Sequence, residues 1–131
     1  MFVYSNAMNV NNISRKTACL AIKYCEKIFK KDNSPAIKLA RTRLKDDPPC
    51  KGYYDEDKNL ILVVKPNHRS FLDFIDTIIH EYTHSTQCME QYTKMFTKYG
   101  YDRHPYEREA NKMAKRHAKK CKKYIIKHVN M

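Results

Sequence analysis

Apolar residues recur at intervals of three and four along three long stretches of the chain, which is the spacing of one face of an α-helix. The stretches cover residues 13–29, 71–99 and 105–128. Pro105 suits the first turn of the third helix, where a missing N–H leaves no helical bond unmade. Gly100 is a natural stop for the second. The pattern therefore predicts three helices, with the second continuous over residues 71–99.

Between the first two helices the pattern changes to short segments bounded by turn formers. Residues 37–44 alternate and predict a strand, while residues 51–54 and 60–64 flank a turn-like segment and predict a β-hairpin. The second hairpin strand is continuously apolar, so we expect it to pack on at least one helix. The order predicts an α+β domain over residues 13–131, after a flexible lead at 1–12. Its small antiparallel sheet would pack against an N-terminal helix, a long central helix and a C-terminal helix.

Composition limits the class of protein. With 131 residues and 42% hydrophobic content, the chain suits one globular domain, and no apolar run approaches the length of a membrane span. The 26 Lys and Arg residues outnumber the 14 Asp and Glu residues, so the net charge of +12 favours acidic partners. The 5 cysteines include no CxxC pair, and we find no signal-peptide pattern. We therefore expect reduced thiols in a cytoplasmic protein that does not bind membranes.

The predicted second helix contains the sequence His80-Glu81-Tyr82-Thr83-His84, which has the form HExxH. Residues four apart lie on the same helix face, so His80 and His84 can present ring nitrogens to one metal ion. Glu81 follows the first histidine, where its carboxylate can reach a water on that ion. The same residues could be polar positions on a solvated helix face. We interpret them as a metal site, because two imidazoles beside a carboxylate suit metal-assisted hydrolysis.

A catalytic zinc site normally takes three protein ligands, and the third helix offers two candidates near its start, Glu107 and Glu109. The expected inward face of that helix includes Ala110, Met113 and Ala114. Glu107 lies three residues before Ala110, whereas Glu109 is displaced from it by about 100°. The spacing favours Glu107 and leaves Glu109 as the alternative.

These two segments together resemble the gluzincin metallopeptidases, whose pattern is HExxH followed by a helix with a glutamate ligand and an Asp or Asn four residues later. The resemblance covers roughly residues 50–118 in motif order. It implies one zinc ion per chain held by His80, His84 and Glu107, with Asn111 orienting a ligating histidine. The chain is short for this class, and it has Asn111 where Asp is common.

The resemblance also implies peptide-bond hydrolysis of a protein or peptide substrate. A zinc-activated water would attack the scissile carbonyl, with Glu81 as the general base. A second electrophile beside zinc would stabilise the oxyanion, and the candidates Tyr101, His104 and Tyr106 lie in or next to the loop before the third helix. The apolar strand at residues 60–64 could bind an extended peptide if it forms a sheet edge.

Two other functions remain open at this point. The third helix carries eight basic residues and no acidic residue between Lys112 and Lys127, so it could contact nucleic acid without sequence specificity. Such a run is equally consistent with a solvated helix face. A regulatory zincin-like domain that binds a peptide without cutting it is the other alternative. Short, lysine-rich chains of this kind also resemble phage or viral accessory proteins.

Overall fold

The structure, a computed structural model, describes residues 8–43 and 50–130. Within these ranges four helices and three strands follow one another, with short 3-10 turns at Val10–Asn12 and Lys65–Asn67. The helices and strands are α1 (Arg15–Phe29), β1 (Ala36–Ala40), β2 (Gly52–Asp55), β3 (Leu60–Val64), α2 (Phe71–Ser85), α3 (Met89–Tyr99) and α4 (Pro105–His128). The predicted α+β class is confirmed. Within the described residues, no helix is both long enough and apolar enough to cross a membrane.

Residues 8–12 are the part of the predicted N-terminal lead that the structure describes. Residues 1–7 of the expected flexible lead lie outside the described residues, but Met8 is buried and a 3-10 turn follows it. At the start of α1, Ser14 Oγ accepts from the Thr17 N–H at 3.2 Å, and Thr17 Oγ1 accepts from the Ser14 N–H at 3.0 Å. This reciprocal pair satisfies two backbone donors that the first turn of a helix leaves free.

The sheet has the order β1-β3-β2, so β3 is its central strand. The predicted hairpin is confirmed, because β2 and β3 pair in antiparallel register with Tyr53 opposite Leu62. β1 instead pairs with β3 in parallel, with Ile37 opposite Ile61, so the sheet is mixed rather than antiparallel throughout. In the sheet, β2 lies on the opposite side of β3 from β1. The chain enters the sheet again at β2, turns, and returns along the central strand β3, which therefore runs in the same direction as β1. The strand predicted at 37–44 ends at Ala40, and Leu44 lies outside the described residues.

The predicted continuous helix over residues 71–99 is wrong, because it is divided into α2 and α3. Two side-chain hydroxyl groups at the end of α2 donate hydrogen bonds to backbone carbonyl oxygens. Ser85 Oγ donates to Tyr82 O at 2.5 Å, and Thr86 Oγ1 donates to Thr83 O at 2.7 Å. The Thr86 and Gln87 amides bond three residues back, which tightens the last turn and ends the helix. Gly100 ends α3 with a φ of 73°, and the predicted helix stop therefore has the positive φ that favours glycine.

Helix α2 is the centre of the core and contacts α1, α4, β2 and β3. The apolar residues that recur at intervals of three and four along α2 are buried, and Met89, which continues this spacing beyond the break, is half-buried in α3. The buried α2 members are Phe71, Phe74, Ile75, Ile78, Ile79 and Tyr82. Helix α4 faces this core with small side chains, Ala110, Ala114 and Ala118, which let its backbone approach α2 closely.

The close packing of β2 on α2 depends on Gly52. A Cβ added at this position would lie 2.6 Å from Leu62 O and 3.1 Å from Thr77 Cγ2. We therefore expect Gly52→Ala to lower the free energy of unfolding by about 1–3 kcal/mol, because β2 must move to relieve the overlap. Urea denaturation measures this. The control is Glu56→Ala in the exposed hairpin turn, and equal stability of the two variants would contradict the prediction.

Candidate metal centre

Two histidines of α2 and one glutamate of α4 bring three ligand atoms together. His80 Nε2 lies 3.2 Å from His84 Nε2 and 3.0 Å from Glu107 Oε1. Glu107 Oε2 lies 3.1 Å from His84 Nε2. This group is one that could hold a metal ion, and its ligand atoms lie within 4.8 Å of one another. The HExxH residues and the glutamate predicted as third ligand therefore meet in space.

The start of α4 decides which glutamate reaches the histidines. Glu107 lies in the first turn of α4 and is 5% exposed, on the face that packs against α2. Glu109 is exposed, and its carboxylate accepts a hydrogen bond from Gln87 Nε2 at 2.7 Å. The face of α4 that carries Ala110 and Ala114 thus also carries Glu107, as the spacing predicted.

Two residues that the sequence analysis did not select hold the ligands in place. His84 Nδ1 lies 2.7 Å from Gln87 Oε1, which leaves Nε2 directed at Glu107. The hydroxyl of Tyr92, on α3, donates to Glu107 Oε2. Burial alone would raise the pKa of Glu107, but the hydrogen bonds from His80, His84 and Tyr92 hold it well below its usual range. Glu107 is therefore a carboxylate, free to act as a ligand.

Glu81 lies beside the cluster without belonging to it. Its Oε2 is 3.9 Å from His80 Nε2. Burial raises the pKa of Glu81 to about 7, and the nearby charge of Glu107 adds to this, while the two histidines and the backbone N–H of Tyr54 oppose it. The surroundings therefore shift the pKa values of the two carboxyl groups in opposite directions: that of Glu107 is lowered, and that of Glu81 is raised to about 7.

The predicted orienting role of Asn111 finds no support in its position. Asn111 is exposed on α4, and among the described residues its side chain makes no hydrogen bond to either histidine. It lines the groove beside His80 instead. Asn111 is one turn after Glu107 but lies about 40° further around the axis of α4, where it is exposed to solvent.

The three oxyanion candidates divide by burial. His104 is 0% exposed, with Nε2 donating to Tyr92 O at 2.8 Å and Nδ1 accepting from the Tyr106 N–H at 3.1 Å, so neither nitrogen is free for a substrate. The prediction for His104 is therefore wrong, because the residue is the N-cap of α4. Tyr106 is half-buried against the His104 ring and does not line the cleft. Tyr101 does line the cleft, and partial burial and then the charges of Glu107 and Glu81 raise the pKa of its hydroxyl.

The site opens into a groove made of two adjoining cavities of about 330 and 470 Å³. Four residues line both cavities: Gly52, His80, Glu81 and Tyr101. One cavity continues past Tyr92 and Met89, and the other past Asp76 and Asn111. The ligand cluster and Glu81 thus lie midway along an extended groove.

The strand that borders this groove is β2. Residues 60–64 do not meet the condition set for peptide pairing along their edge, because β3 is the central strand. Lys51 O accepts from the Val64 N–H at 2.8 Å, so this pair is hydrogen-bonded across the hairpin. Bonded and non-bonded pairs alternate in an antiparallel ladder, and the backbone groups of Gly52 and Tyr54 therefore point away from β3. The N–H of Tyr54 faces Glu81.

Comparison with known proteins places the chain in a family without giving it a function. The family described as "Protein of unknown function (DUF3920)" matches residues 38–127, and the chain belongs to it. The match spans β1 from Lys38 onward, β2, β3, α2, α3 and nearly all of α4, so it includes every residue of the candidate metal centre. No curated protein and no solved structure matches the chain.

His104 predicts a stability effect that is independent of any metal. We expect His104→Ala to lower the free energy of unfolding by about 2–4 kcal/mol, since it removes a helix cap and the bond to the Tyr92 carbonyl and leaves a cavity at a fully buried position. His104→Asn keeps a capping side chain and should lose less. Chemical denaturation of both variants measures this, and a loss below about 0.5 kcal/mol for His104→Ala would contradict it.

Proposed function

We propose that this protein is a zinc-dependent peptidase of gluzincin type, which hydrolyses peptide bonds in a protein or peptide substrate. The observation that carries the proposal is the convergence of His80, His84 and Glu107 beside the separate carboxyl group of Glu81. Three ligands and one neighbouring general base in an open groove are the components that metal-assisted hydrolysis requires.

The ligand atoms fit zinc in both chemistry and spacing. Zinc is commonly held by imidazole nitrogen and carboxylate oxygen, and ligands of a tetrahedral zinc ion lie about 3.3 Å apart. The separations among the two Nε2 atoms and the Glu107 oxygens are 3.0–3.2 Å. The outer hydrogen bonds, donated by His84 Nδ1 to Gln87 and by Tyr92 to Glu107, are of the kind that fix a ligand's orientation. Zinc bound here would supply Lewis-acid activation of a water molecule and of the scissile carbonyl.

Glu81 would then move the proton. Its carboxyl group lies within 3.9 Å of a ligand nitrogen, so it is placed to take a proton from the attacking water and return it to the leaving amine. Tyr101 lines both halves of the groove, so its hydroxyl is the best placed of the three candidates to donate to the developing oxyanion.

The edge of β2 gives the substrate a place to bind. Gly52 and Tyr54 direct backbone groups away from β3, on the strand that borders the groove. An extended peptide can add to such an edge through main-chain hydrogen bonds. Main-chain pairing would hold the peptide across His80 and Glu81 whatever its sequence.

Metal analysis is the first test. We expect wild-type protein, loaded with zinc and desalted, to retain about one zinc ion per chain, and His84→Ala and Glu107→Ala to lose it. Glu109→Gln is the matched control, because Glu109 is the neighbouring glutamate that faces away from the cluster and an amide oxygen can still accept from Gln87 Nε2. Absence of zinc from the wild type, or equal loss in the control, would overturn the proposal.

Hydrolysis is tested separately with Glu81→Gln, which removes the base but no ligand. We expect the zinc-loaded wild type to cleave a fluorescently labelled protein substrate, and Glu81→Gln to keep its zinc while losing roughly 100-fold or more in rate. Undiminished cleavage by Glu81→Gln would remove this residue from the mechanism. A zinc-loaded wild type that forms no product would instead support a non-catalytic regulatory domain.

A paired comparison tests which residue supports the histidines. We expect Gln87→Ala to weaken zinc binding by roughly 10- to 100-fold, because His84 Nδ1 loses its acceptor. Asn111→Ala should bind zinc like the wild type, since Asn111 is exposed. Competition with a chromogenic chelator gives both affinities. A loss confined to Asn111→Ala would restore the arrangement implied by the sequence resemblance.

A further inference from the structure

A second cluster of aromatic side chains lies away from the groove, where α1 packs against α4. We call it the α1–α4 seam; it comprises Tyr24, His117, Tyr124 and His128, and all of these are half-buried. The Tyr24 hydroxyl lies 3.1 Å from His117 Nδ1, and its ring meets Tyr124 edge-on at 5.8 Å. Tyr124 stacks on His128 at 4.1 Å. The rings therefore form a continuous row that is partly open to solvent.

Positive charges border this row on both helices. The Lys27 ammonium lies 5.4 Å from the centroid of the Tyr124 ring. Partial burial and then the charges of Lys120 and Arg116 lower the pKa of His117, which places those two cations near the row. On a helix of 100° per residue, Lys127 also falls on the Tyr124 side of α4.

Acidic groups do not balance these charges. Helix α4 has no acidic residue after Glu109, and Glu26 of α1 is about 160° around its helix from Tyr24. Among the described residues, no ion pair involves the cations that border the seam. The chain as a whole carries +12. The seam is thus a row of aromatic rings with uncompensated positive charge along both sides.

We infer that the α1–α4 seam is a binding site for single-stranded nucleic acid, with the aromatic rings stacking on bases and the bordering cations contacting phosphates. Two alternatives explain the charges but not the aromatic rings. A basic helix face that only contacts solvent would need no row of rings, and an acidic protein partner would pair with the charges alone. Single strands use both, because their bases are free to stack on aromatic side chains while the backbone follows a positive groove. A base on Tyr124 would take the place of Lys27, whose ammonium would then pair with a phosphate.

The size and position of the seam make this site separate from the metal centre. From Arg116 to His128 is about 18 Å along α4, which matches about five nucleotides of a stacked strand. Tyr124 is about 25 Å along the same helix from Glu107. Nucleic-acid binding at the seam therefore requires neither zinc nor peptidase activity.

Fluorescence anisotropy with the full chain tests the inference. The probes are a labelled oligo-dT of about 20 nucleotides, the matching oligo-rU, a mixed-sequence duplex of equal length, and polyglutamate. We expect both single strands to bind more tightly than the duplex or polyglutamate, with affinity falling steeply as salt rises. A preference for oligo-dT or for oligo-rU assigns the site to DNA or to RNA. A chelator should leave the binding unchanged.

Matched charge reversals locate the site. Arg116→Glu with Lys120→Glu reverses two charges at the seam. The control, Lys115→Glu with Lys122→Glu, reverses two charges that lie about 160–180° around α4 from Tyr124. The seam variant should lose at least tenfold in affinity for oligo-dT and show a flatter salt dependence, whereas the control should lose clearly less. Tyr124→Leu should lose at least about fivefold at constant charge.

The results that would overturn the inference are equally distinct. They are equal losses in the two charge-reversal variants, an affinity for duplex or polyglutamate equal to that for single strands, or full binding by Tyr124→Leu. Thermal unfolding of every variant shows that it is folded, and zinc content shows that the metal centre is intact. For a Tyr124→Leu chain that does not fold, His128→Ala reports on the same stacked pair.

Discussion

The buried carboxylate of Glu107 is the constraint on which the rest of the site depends. A charge taken out of water is costly unless several groups compensate it, and here His80, His84 and the Tyr92 hydroxyl do so. These partners come from α2 and α3, while Glu107 itself belongs to α4. The three helices can therefore meet at this point in only a few arrangements, and the ligand geometry and the local packing support each other. A metal ion fits this arrangement because it compensates the same charge through the same atoms.

The break between α2 and α3 has the largest structural consequence of any single feature. Had the helix continued to Gly100, Tyr92 would lie about 12 Å along its axis from His84, farther from Glu107. The turn at Ser85–Gln87 instead brings α3 back over the end of α2, where Tyr92 contacts Glu107 and its carbonyl receives His104. The same turn places Gln87 against His84. The turn that ends α2 thus supplies Gln87 and also positions Tyr92 of α3 beside Glu107.

The proposed functions occupy different parts of one helix. The first turn of α4 contributes Glu107 to the groove, and its last three turns carry the seam with α1. The groove combines buried carboxyl groups with an open sheet edge, whereas the seam combines aromatic rings with unbalanced cations. If the C-terminal part of α4 binds nucleic acid, the groove beside its first turn would lie close to other proteins bound to the same nucleic-acid strand.

The sequence by itself determined the periodic elements, the α+β class, the HExxH pair and the choice of Glu107 over Glu109, because helical spacing alone decides which side chains share a face. Only the tertiary structure decided the direction of β1, the edge role of β2, the break after Ser85 and the partners Gln87 and Tyr92. It also showed that His104 is a buried cap and that Asn111 faces solvent. These outcomes depend on contacts between segments far apart in the chain, and a residue's type and spacing carry no information about which distant group will satisfy its hydrogen bonds.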